Sequence, residues 1–364
     1  MKYFYKPLYS YLAAAALVFG IAGLHSCSST PKSGGNDHTV LKPLYTTDTT
    51  GFDTDDPAIW INPKDKMQSL IVGTDKEEGG GIYAFDLKGK TVKKVTGLKR
   101  PNNVDVAYNL KYKNGTVDAV IFTERKANKI RVFSLPDLQP IDNGGISVFE
   151  ADTCAGCRDG MGIVIYTAPD GKIYAMVGRK TGPSGSYIWQ YELNQSKEGF
   201  ITGDVVRKFG TYSGKKEIES IAVDNELGYI YYSDEQVGVR KYYADPAKGN
   251  QELALFATTG FTDDHEGISI YKKTASTGYI LVSNQQDNSF MIYPREGMSG
   301  KMNEHPLITK VKTSTLESDG SDVTNLSFGN LYPEGFFVAM SNGKVFQIYD
   351  WRDIQKKIDA AKKR

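Results

Sequence analysis

The stretch "SIAVDNELGYIYYSDEQVGVRKYY", residues 220–243, decides the fold, because it contains three short strand patterns separated by two turns. An apolar strand pattern comes first, the turn residues Asp, Asn and Gly follow, and two further strand patterns flank a short polar loop. The same order recurs in residues 162–193 and 268–293. This repetition indicates an all-β fold built from similar units.

The last strand of the unit occurs six times along the chain. The period is roughly 45 to 60 residues, the range of propeller blades. The sequence therefore predicts a six-bladed β-propeller at residues 39–356, whose ring is closed by a strand at 39–47. A two-sheet sandwich array is the alternative, but it would not require six similar units. The six endings are "GGIYAFDLKGK" at 80–90, "NKIRVFSLP" at 128–136, "SYIWQYEL" at 186–193, "VGVRKYYADP" at 237–246, "NSFMIYPREG" at 288–297 and "GKVFQIYDW" at 343–351.

Helical periodicity is nearly absent before the C-terminal "DWRDIQKKIDAAKKR", residues 350–364. We expect a short helix there, whose basic end covers residues 357–364. Its apolar stripe is short, which favours a solvated closing helix over an amphipathic helix bound to a membrane. We assign this helix no function.

The N-terminus has the pattern of an export signal, with two early lysines and an apolar run from Leu12 to Leu24. "LHSC", ending at Cys27, resembles the bacterial lipoprotein processing box. We expect a signal peptide at 1–27, lipidation of Cys27, a flexible tether at 28–38, and a lipid-anchored protein of the bacterial cell envelope. An ordinary secretion signal with an incidental cysteine is the alternative.

Two further cysteines, Cys154 and Cys157, lie in "DTCAGCRDG". Export favours a disulfide within this loop, with free thiols as the main alternative. Redox catalysis would need a βαβ context, which is missing, and a zinc site would need a second CxxC motif.

The composition places limits on the partners. Hydrophobic residues make up 40% of the 364 residues, which is typical of a soluble globular protein. Lys and Arg number 44 against 43 for Asp and Glu, so no global charge favours nucleic acid or a general attraction to anionic membranes. We expect a monomer that binds no nucleic acid and contacts a membrane through the N-terminal lipid only.

Acidic residues recur where the predicted blades begin or where their second strand ends, so their side chains converge on one end of a propeller channel. Asp is a common turn residue, but Glu is a poor turn former, so turns alone do not explain the set. Converging carboxylates repel and need a cation. Oxygen ligands favour Ca²⁺ over Zn²⁺, and the four His residues are too scattered for a zinc site. The acids are Asp55, Asp56, Asp105, Glu219, Glu235, Glu266 and Asp319.

Basic residues follow second strands in other units, where their loops open toward the same end. They are Lys76, Arg125, Arg179 and Lys180. Each alone is typical of a solvated surface. Beside carboxylate-bound cations, however, they form a site for a polyanion, and phosphate fits best.

These motifs resemble the β-propeller phytases, calcium-dependent hydrolases that release phosphate from myo-inositol hexakisphosphate (phytate). The similarity runs from about residue 45 to about 352, in the order expected of that family, and its motifs are long. They are "DDPAIWINP" at 55–63, "NNVDVAY" at 102–108, "AVDNELGYIYYSDEQVGVRKY" at 222–242, "DDHEGISIY" at 263–271, "SNQQDNSFMIY" at 283–293, "SDGSDV" at 318–323 and "YPEGFFVAM" at 332–340.

The resemblance implies that the seven acids hold or surround calcium ions, and that Lys76, Arg125, Arg179 and Lys180 bind phosphates of phytate or other inositol phosphates. It also implies a second phosphate-binding site beside the cleavage site. The implied catalytic residues are Glu235, Lys76 and Arg125. Water activated by calcium attacks phosphorus directly, Glu235 assists or places the metals, and no covalent intermediate forms.

Three positions depart from that family's pattern. Glu77 replaces a second lysine, Met161 replaces an aromatic residue, and Ser220 replaces a glycine after Glu219. These changes leave the implied calcium ligands intact but weaken the implied grip on phosphate. Two other functions stay open, a non-catalytic calcium propeller that binds an anionic ligand or partner, and a related phosphodiesterase or lactonase.

Overall fold

A computed structural model describes residues 39–363. Within this part of the chain, the strands form six antiparallel sheets of four strands each. The inner strands of the six sheets contact one another in ring order. The predicted six-bladed β-propeller is therefore confirmed. The signal peptide, the tether and the lipidated Cys27 were predicted for residues outside the described range.

Five blades are each built from four strands that are consecutive in the chain. Blade 1 contains β2 to β5, and blades 2 to 5 follow in the same way, while blade 6 contains β22 to β24 and β1. The strands are β1 (Tyr45–Thr46), β2 (Thr54–Trp60), β3 (Leu70–Asp75), β4 (Gly81–Phe85), β5 (Thr91–Thr96), β6 (Pro101–Tyr112), β7 (Gly115–Glu124), β8 (Lys129–Ser134), β9 (Ile146–Ser147), β10 (Gly160–Thr167), β11 (Ile173–Arg179), β12 (Ile188–Gln195), β13 (Ile201–Phe209), β14 (Ile221–Asp224), β15 (Tyr229–Asp234), β16 (Gly238–Tyr243), β17 (Ala254–Phe256), β18 (His265–Lys272), β19 (Gly278–Asn284), β20 (Ser289–Pro294), β21 (Thr309–Lys312), β22 (Ser321–Thr324), β23 (Phe336–Ser341) and β24 (Val345–Asp350).

Helical structure is short in the described chain. One α-helix, α1, covers Trp351–Lys362 and follows the last strand directly. Single 3₁₀ turns join some of the strands. They cover Lys66–Gln68, Arg125–Ala127, Pro246–Lys248 and Gln285–Asp287.

The ring is closed by the N-terminal strand of the described chain. Tyr45 of β1 pairs with Ile348 of β24, so the first strand is the outer strand of the last blade. The pairing is shorter than the predicted 39–47, because Leu41 instead forms a bridge with Thr313, which follows blade 5. Closure in this way leaves no unpaired edge between the first and last blades.

The core lies between neighbouring blades. Buried side chains form six clusters within the described residues, and each cluster joins two adjacent blades. Successive side chains of a strand point to opposite faces, so each blade contributes to two clusters. In β3, Val72 packs toward blade 2, while Ile71 packs toward blade 6. This alternation fixes the angle of each blade and, with it, the positions of the loops at both ends of the channel.

Helix α1 closes the domain by packing its apolar stripe on blades 5 and 6. Asp350 caps its first turn, and Trp351, Ile354 and Ile358 are buried in the cluster between these blades. The Trp351 ring stacks on Tyr271 with centroids 3.5 Å apart. Within residues 39–363, no helix is long and apolar enough to cross a membrane.

Candidate functional site

Antiparallel pairing brings the beginning of each inner strand next to the end of the second strand. Thr54 pairs with Asp75 in blade 1, for example, and His265 pairs with Asn284 in blade 5. The residues that follow the second strands therefore lie at one end of the channel, which we call the channel mouth. In blade order they are Lys76, Arg125, Lys180, Glu235, Gln285 and Asn342.

The inner strands of four blades begin with an irregular register. Pairing shifts between Thr54 and Pro57 in blade 1, and equivalent shifts open β6, β10 and β18. Such bulges redirect side chains and are common beside active sites. Asp55 and Asp56 both lie in the first bulge, so two adjacent acids reach different neighbours.

Five carboxylates gather at the channel mouth. Glu219, Glu235 and Glu266 each offer an oxygen, and these oxygens all lie within 4.8 Å of one another. Asp55 and Asp319 belong to the same group, because Asn102 links Asp55 to Glu219 and Lys76 links Asp55 to Asp319. We call this set of five the mouth cluster, Asp55, Glu219, Glu235, Glu266 and Asp319.

Two side chains link the members of the mouth cluster. The Asn102 amide donates to Asp55 Oδ2 at 3.0 Å and to Glu219 Oε1 at 2.6 Å. Lys76 Nζ lies 3.1 Å from Asp55 Oδ1 and 2.5 Å from Asp319 Oδ2. Burial lowers the pKa of Lys76, but the surrounding carboxylates outweigh this effect and raise it above its ordinary value. Lys76 therefore stays charged and offsets part of the negative charge.

The remaining negative charge is only partly offset, by Lys216, whose Nζ lies 2.8 Å from Glu235 Oε2. Burial, with repulsion from other acids, raises the pKa of Glu219 to about 8 and that of Glu235 to about 7. The same causes raise the pKa of Glu266 well above its ordinary value. Burial also raises the pKa of Asp319 to about 6, although Lys76 opposes this shift. The cluster thus lacks positive charge in its centre.

Two oxygens of the mouth cluster have no partner among the described residues. Glu235 Oε1 and Glu266 Oε2 are buried with neither a hydrogen bond nor an ion pair, whereas Asp55 Oδ1 and Glu235 Oε2, which also accept no hydrogen bond, lie beside the ammonium groups of Lys76 and Lys216. A buried carboxylate oxygen without a donor is costly, and a metal ion would satisfy it. All five members offer oxygen ligands, which suit hard cations such as Ca²⁺ or Mg²⁺ better than Zn²⁺. The residues present therefore fit a divalent cation.

A second acidic group lies deeper in the channel. Asp105 Oδ2 accepts the Ile165 N–H of blade 3 at 2.7 Å, and Asp322 Oδ2 accepts the Ile59 N–H of blade 1 at 2.8 Å. Asp56 Oδ2 accepts the Val104 N–H of blade 2 at 3.0 Å in the same manner. We call Asp56, Asp105 and Asp322 the channel triad, which lines a cavity of about 250 Å³.

The structure therefore separates the predicted metal ligands into two groups. Asp55, Glu219, Glu235, Glu266 and Asp319 come together, whereas Asp56 and Asp105 do not join them. The physical reason is that the two triad carboxylates already accept backbone N–H groups of the next blade. Such bonds tie neighbouring blades together.

Two predicted phosphate-binding residues have partly exposed cationic groups beside the mouth. The Lys180 side chain is 39% exposed and pairs with Glu217. The Arg125 side chain is 12% exposed, with Nε 3.4 Å from Asp159 Oδ2. Each pairs with one carboxylate that an anion could replace. Both therefore remain candidates for contact with a phosphate.

Arg179 does not belong with them, which corrects the prediction that it binds substrate. Its side chain is 0% exposed, pairs with Asp152 and donates to the backbone oxygens of Cys157 and Ser186. Arg179 thus anchors the loop that contains the disulfide between Cys154 and Cys157. The strand alternation that exposes Lys180 buries its neighbour.

Sequence reasoning missed three residues of the site. Asn102 belongs to the motif "NNVDVAY", which has a predicted site role only for Asp105, yet the Asn102 amide joins two acids of the mouth cluster. Gln285 Nε2 donates to Asp319 Oδ1 at 2.5 Å, and Gln285 follows its second strand just as Lys76 and Glu235 follow theirs. An alignment of the six units would have revealed Gln285. Lys216, in the loop before β14, had no such signal.

Fold and site together define a class, six-bladed propellers whose channel mouth combines a cation-accepting carboxylate cluster with exposed basic residues. A model of the phytase family matches residues 10–362 of the chain. The 3-phytase of Bacillus subtilis (strain 168) is 29% identical over 335 residues, which cover 87% of this chain and 83% of that protein. The hydrazine synthase of Kuenenia stuttgartiensis has a TM-score of 0.52 at 13% identity, with 81% of this chain and 83% of that chain covered, a likeness of fold alone.

The chain belongs to the phytase family and is a phosphomonoester hydrolase. The side chains at two of its departures from the family pattern, Met161 and Ser220, are buried. Ser220 Oγ accepts the Ile268 N–H at 2.8 Å and so joins blades 4 and 5, and Met161 is 1% exposed. Neither side chain is placed to contact a substrate at the channel mouth.

Proposed function

We propose that the protein is a calcium-dependent phosphatase that releases phosphate from phytate or other inositol phosphates. One observation carries the proposal. Glu219, Glu235 and Glu266 converge, and Glu235 and Glu266 have buried oxygens that lack donors, at the same channel end where Lys76, Arg125 and Lys180 emerge. A cation site next to basic side chains suits a phosphorylated substrate.

The charges are distributed unevenly around the mouth. Basic residues follow the second strands of blades 1, 2 and 3, whereas a carboxylate follows that of blade 4. The remaining acids of the mouth cluster belong to blades 4, 5, 6 and 1. One phosphate would therefore lie near Lys76, at the boundary between the basic side and the acidic side of the mouth. Other phosphates of the same inositol ring would lie toward Arg125 and Lys180. This arrangement favours a substrate with several phosphates over a single phosphomonoester.

The mouth cluster would hold the cation, with Glu235 and Glu266 contributing the oxygens that lack donors. When bound, a divalent cation activates water and neutralises charge on the phosphate. Lys76 binds the phosphate and keeps Asp55 and Asp319 in place. Glu235 is buried beside the reacting group, and Arg125 and Lys180 orient the substrate.

Phosphate release from phytate by the purified full-length chain tests this proposal, with calcium, with chelator, and with Glu235→Ala. Glu198→Ala, which changes an exposed carboxylate in the turn between β12 and β13, is the control. We expect release that requires calcium, is lost in Glu235→Ala and persists in Glu198→Ala. Calcium and phytate binding without release would instead favour a non-catalytic propeller. Cleavage of phosphodiesters or lactones, but not of phytate, would favour the related hydrolases.

We further propose that Cys27 bears a lipid that anchors the protein in the bacterial cell envelope. The support is the sequence pattern alone, the apolar run ending at "LHSC". Metabolic labelling with palmitate and membrane fractionation of Cys27→Ala would test it. Equal labelling of the variant and the unchanged protein would contradict the anchor.

A further inference from the structure

Lys216 lies at the channel mouth, across the ring from Lys76 of blade 1 and next in the chain to Glu217, which pairs with Lys180 of blade 3. It belongs to the loop between β13 and β14, and its ammonium bridges two carboxylates of different blades. Nζ lies 2.8 Å from Glu235 Oε2 and 2.7 Å from Asp264 Oδ2. The side chain is 35% exposed, against 20% for Lys76, so Lys216 is the more accessible of these two lysines.

Its two partners differ in how far they depend on Lys216. Asp264 also accepts hydrogen bonds from Gln236 Nε2 at 3.1 Å and from Gln286 Nε2 at 2.8 Å. Glu235, in contrast, has an Oε1 without any donor in the described chain. Asp264 therefore keeps two other hydrogen-bond donors without Lys216. Lys216 pairs with only one of the two carboxylate oxygens of Glu235.

A divalent cation and the Lys216 ammonium compete for Glu235. A cation that binds the mouth cluster takes up carboxylate charge that the ammonium otherwise neutralises. Lys216 carries its charge on a flexible four-carbon stem, so with a cation bound its ammonium could turn away from Glu235 and still lie at the channel mouth. Its donors then need acceptors, and phosphoryl oxygens supply them.

We propose that Lys216 is a further phosphate-binding residue, which contacts the phosphoryl group at the mouth cluster from the side opposite Lys76. The proposal rests on the function proposed above. It adds the basic side chain of Lys216, at the entrance to blade 4, to the basic side chains of blades 1 to 3. Lys76 and Lys216 then flank the same phosphate.

Binding of myo-inositol hexakissulfate, which phosphatases do not hydrolyse, tests the proposal by calorimetry in the presence of calcium. The variants are Lys216→Met, which keeps the stem and removes the charge, and Lys216→Arg, which keeps the charge. Lys215→Met is the matched control, since Lys215 is its exposed neighbour and only reaches Gln236 O at 3.4 Å. We expect Lys216→Met to weaken sulfate binding roughly 10-fold, as loss of a charged hydrogen bond would. Lys216→Arg should recover most of this affinity, and Lys215→Met should match the unchanged protein.

Calcium affinity and phytate kinetics complete the test. Removal of a competing ammonium should leave calcium affinity unchanged or higher in Lys216→Met, and KM for phytate should rise more than kcat falls. Sulfate binding in Lys216→Met equal to that of the unchanged protein would overturn the proposal, as would a loss of calcium affinity, which would assign Lys216 to the support of the metal site. Failure of the proposed function is distinct, because the unchanged protein would then release no phosphate in the first assay.

Discussion

The mouth cluster and the channel triad are both groups of carboxylates along the same channel, yet their chemistry differs. Each triad carboxylate accepts a backbone N–H from the next blade. In the mouth cluster, Glu235 and Glu266 each have a buried oxygen without a donor. The hydrogen-bond donors around an acidic residue near the channel, and not its position in the sequence, therefore decide whether its carboxylate is free to bind a cation.

Asp55 and Asp56 show the difference within one peptide. Asp55 contacts Lys76 and Asn102, whereas Asp56 bonds to the backbone of Val104. The bulge at the start of β2 separates them, because it directs adjacent side chains to different neighbours. Repulsion between the adjacent acids is thereby reduced, since each has its own partner.

Loss of a donor-free carboxylate should have the largest effect. We expect Glu235→Gln to lower kcat/KM for phytate by about 10³-fold, because electrostatic groups at a reacting centre have effects of that order. Its unfolding free energy without metal should not fall, since one of several repelling groups is removed. The assay is phosphate release, with Asp105→Asn as the triad control. A larger loss of activity in Asp105→Asn than in Glu235→Gln would reverse the comparison.

Arg179 and Lys180 extend the comparison to adjacent basic residues. We expect Arg179→Met to cost about 3 kcal/mol of unfolding free energy, because it leaves the Asp152 carboxylate without its buried partner. Lys180→Met should leave stability within about 0.5 kcal/mol, as surface changes do, and raise KM for phytate. Urea denaturation and steady-state kinetics measure the two effects. A KM effect in Arg179→Met with unchanged stability would restore Arg179 to the substrate site.

Asp322→Ala tests the channel triad directly. The variant leaves the Ile59 N–H without its acceptor, so we expect the unfolding free energy to fall by about 2 kcal/mol. Calcium affinity should stay the same, because no member of the mouth cluster is altered. Urea denaturation and calcium calorimetry on the same sample measure both quantities. A loss of calcium binding with no loss of stability would place a cation in the triad.

The smallest effect concerns pH. Burial raises the pKa of Asp322 to about 7, and the nearby Asp105 adds to the shift. The folded state thus holds this proton more tightly than the unfolded chain, so the stabilising contribution is present below about pH 4 and is lost as the pH rises to about 7. Asp322→Asn cannot titrate. Its unfolding free energy relative to the unchanged protein should rise by about 1 kcal/mol from pH 6 to pH 8, measured with urea and chelator. A constant difference would show that Asp322 is ionised throughout this range.

The sequence predicted the fold because the three-strand unit recurs six times with its turns and its apolar strands. The strand order also predicts that Lys76, Arg125, Lys180 and Glu235 lie at one end of the channel, because antiparallel pairing brings the ends of the first two strands of a blade together. The division between Asp55 and Asp56 depends on a local bulge, which periodicity does not reveal. Lys216 lies in a loop with no regular period, and its proximity to Glu235 arises only from the folded ring.

A crystal structure of the calcium-loaded protein, with anomalous scattering to locate the ions, would test the central claim most directly. We predict calcium coordinated by Glu219, Glu235 and Glu266 at the channel mouth, while Asp105 and Asp322 keep their backbone N–H partners. Calcium found only in the triad cavity, with the three glutamates free of metal, would contradict the account.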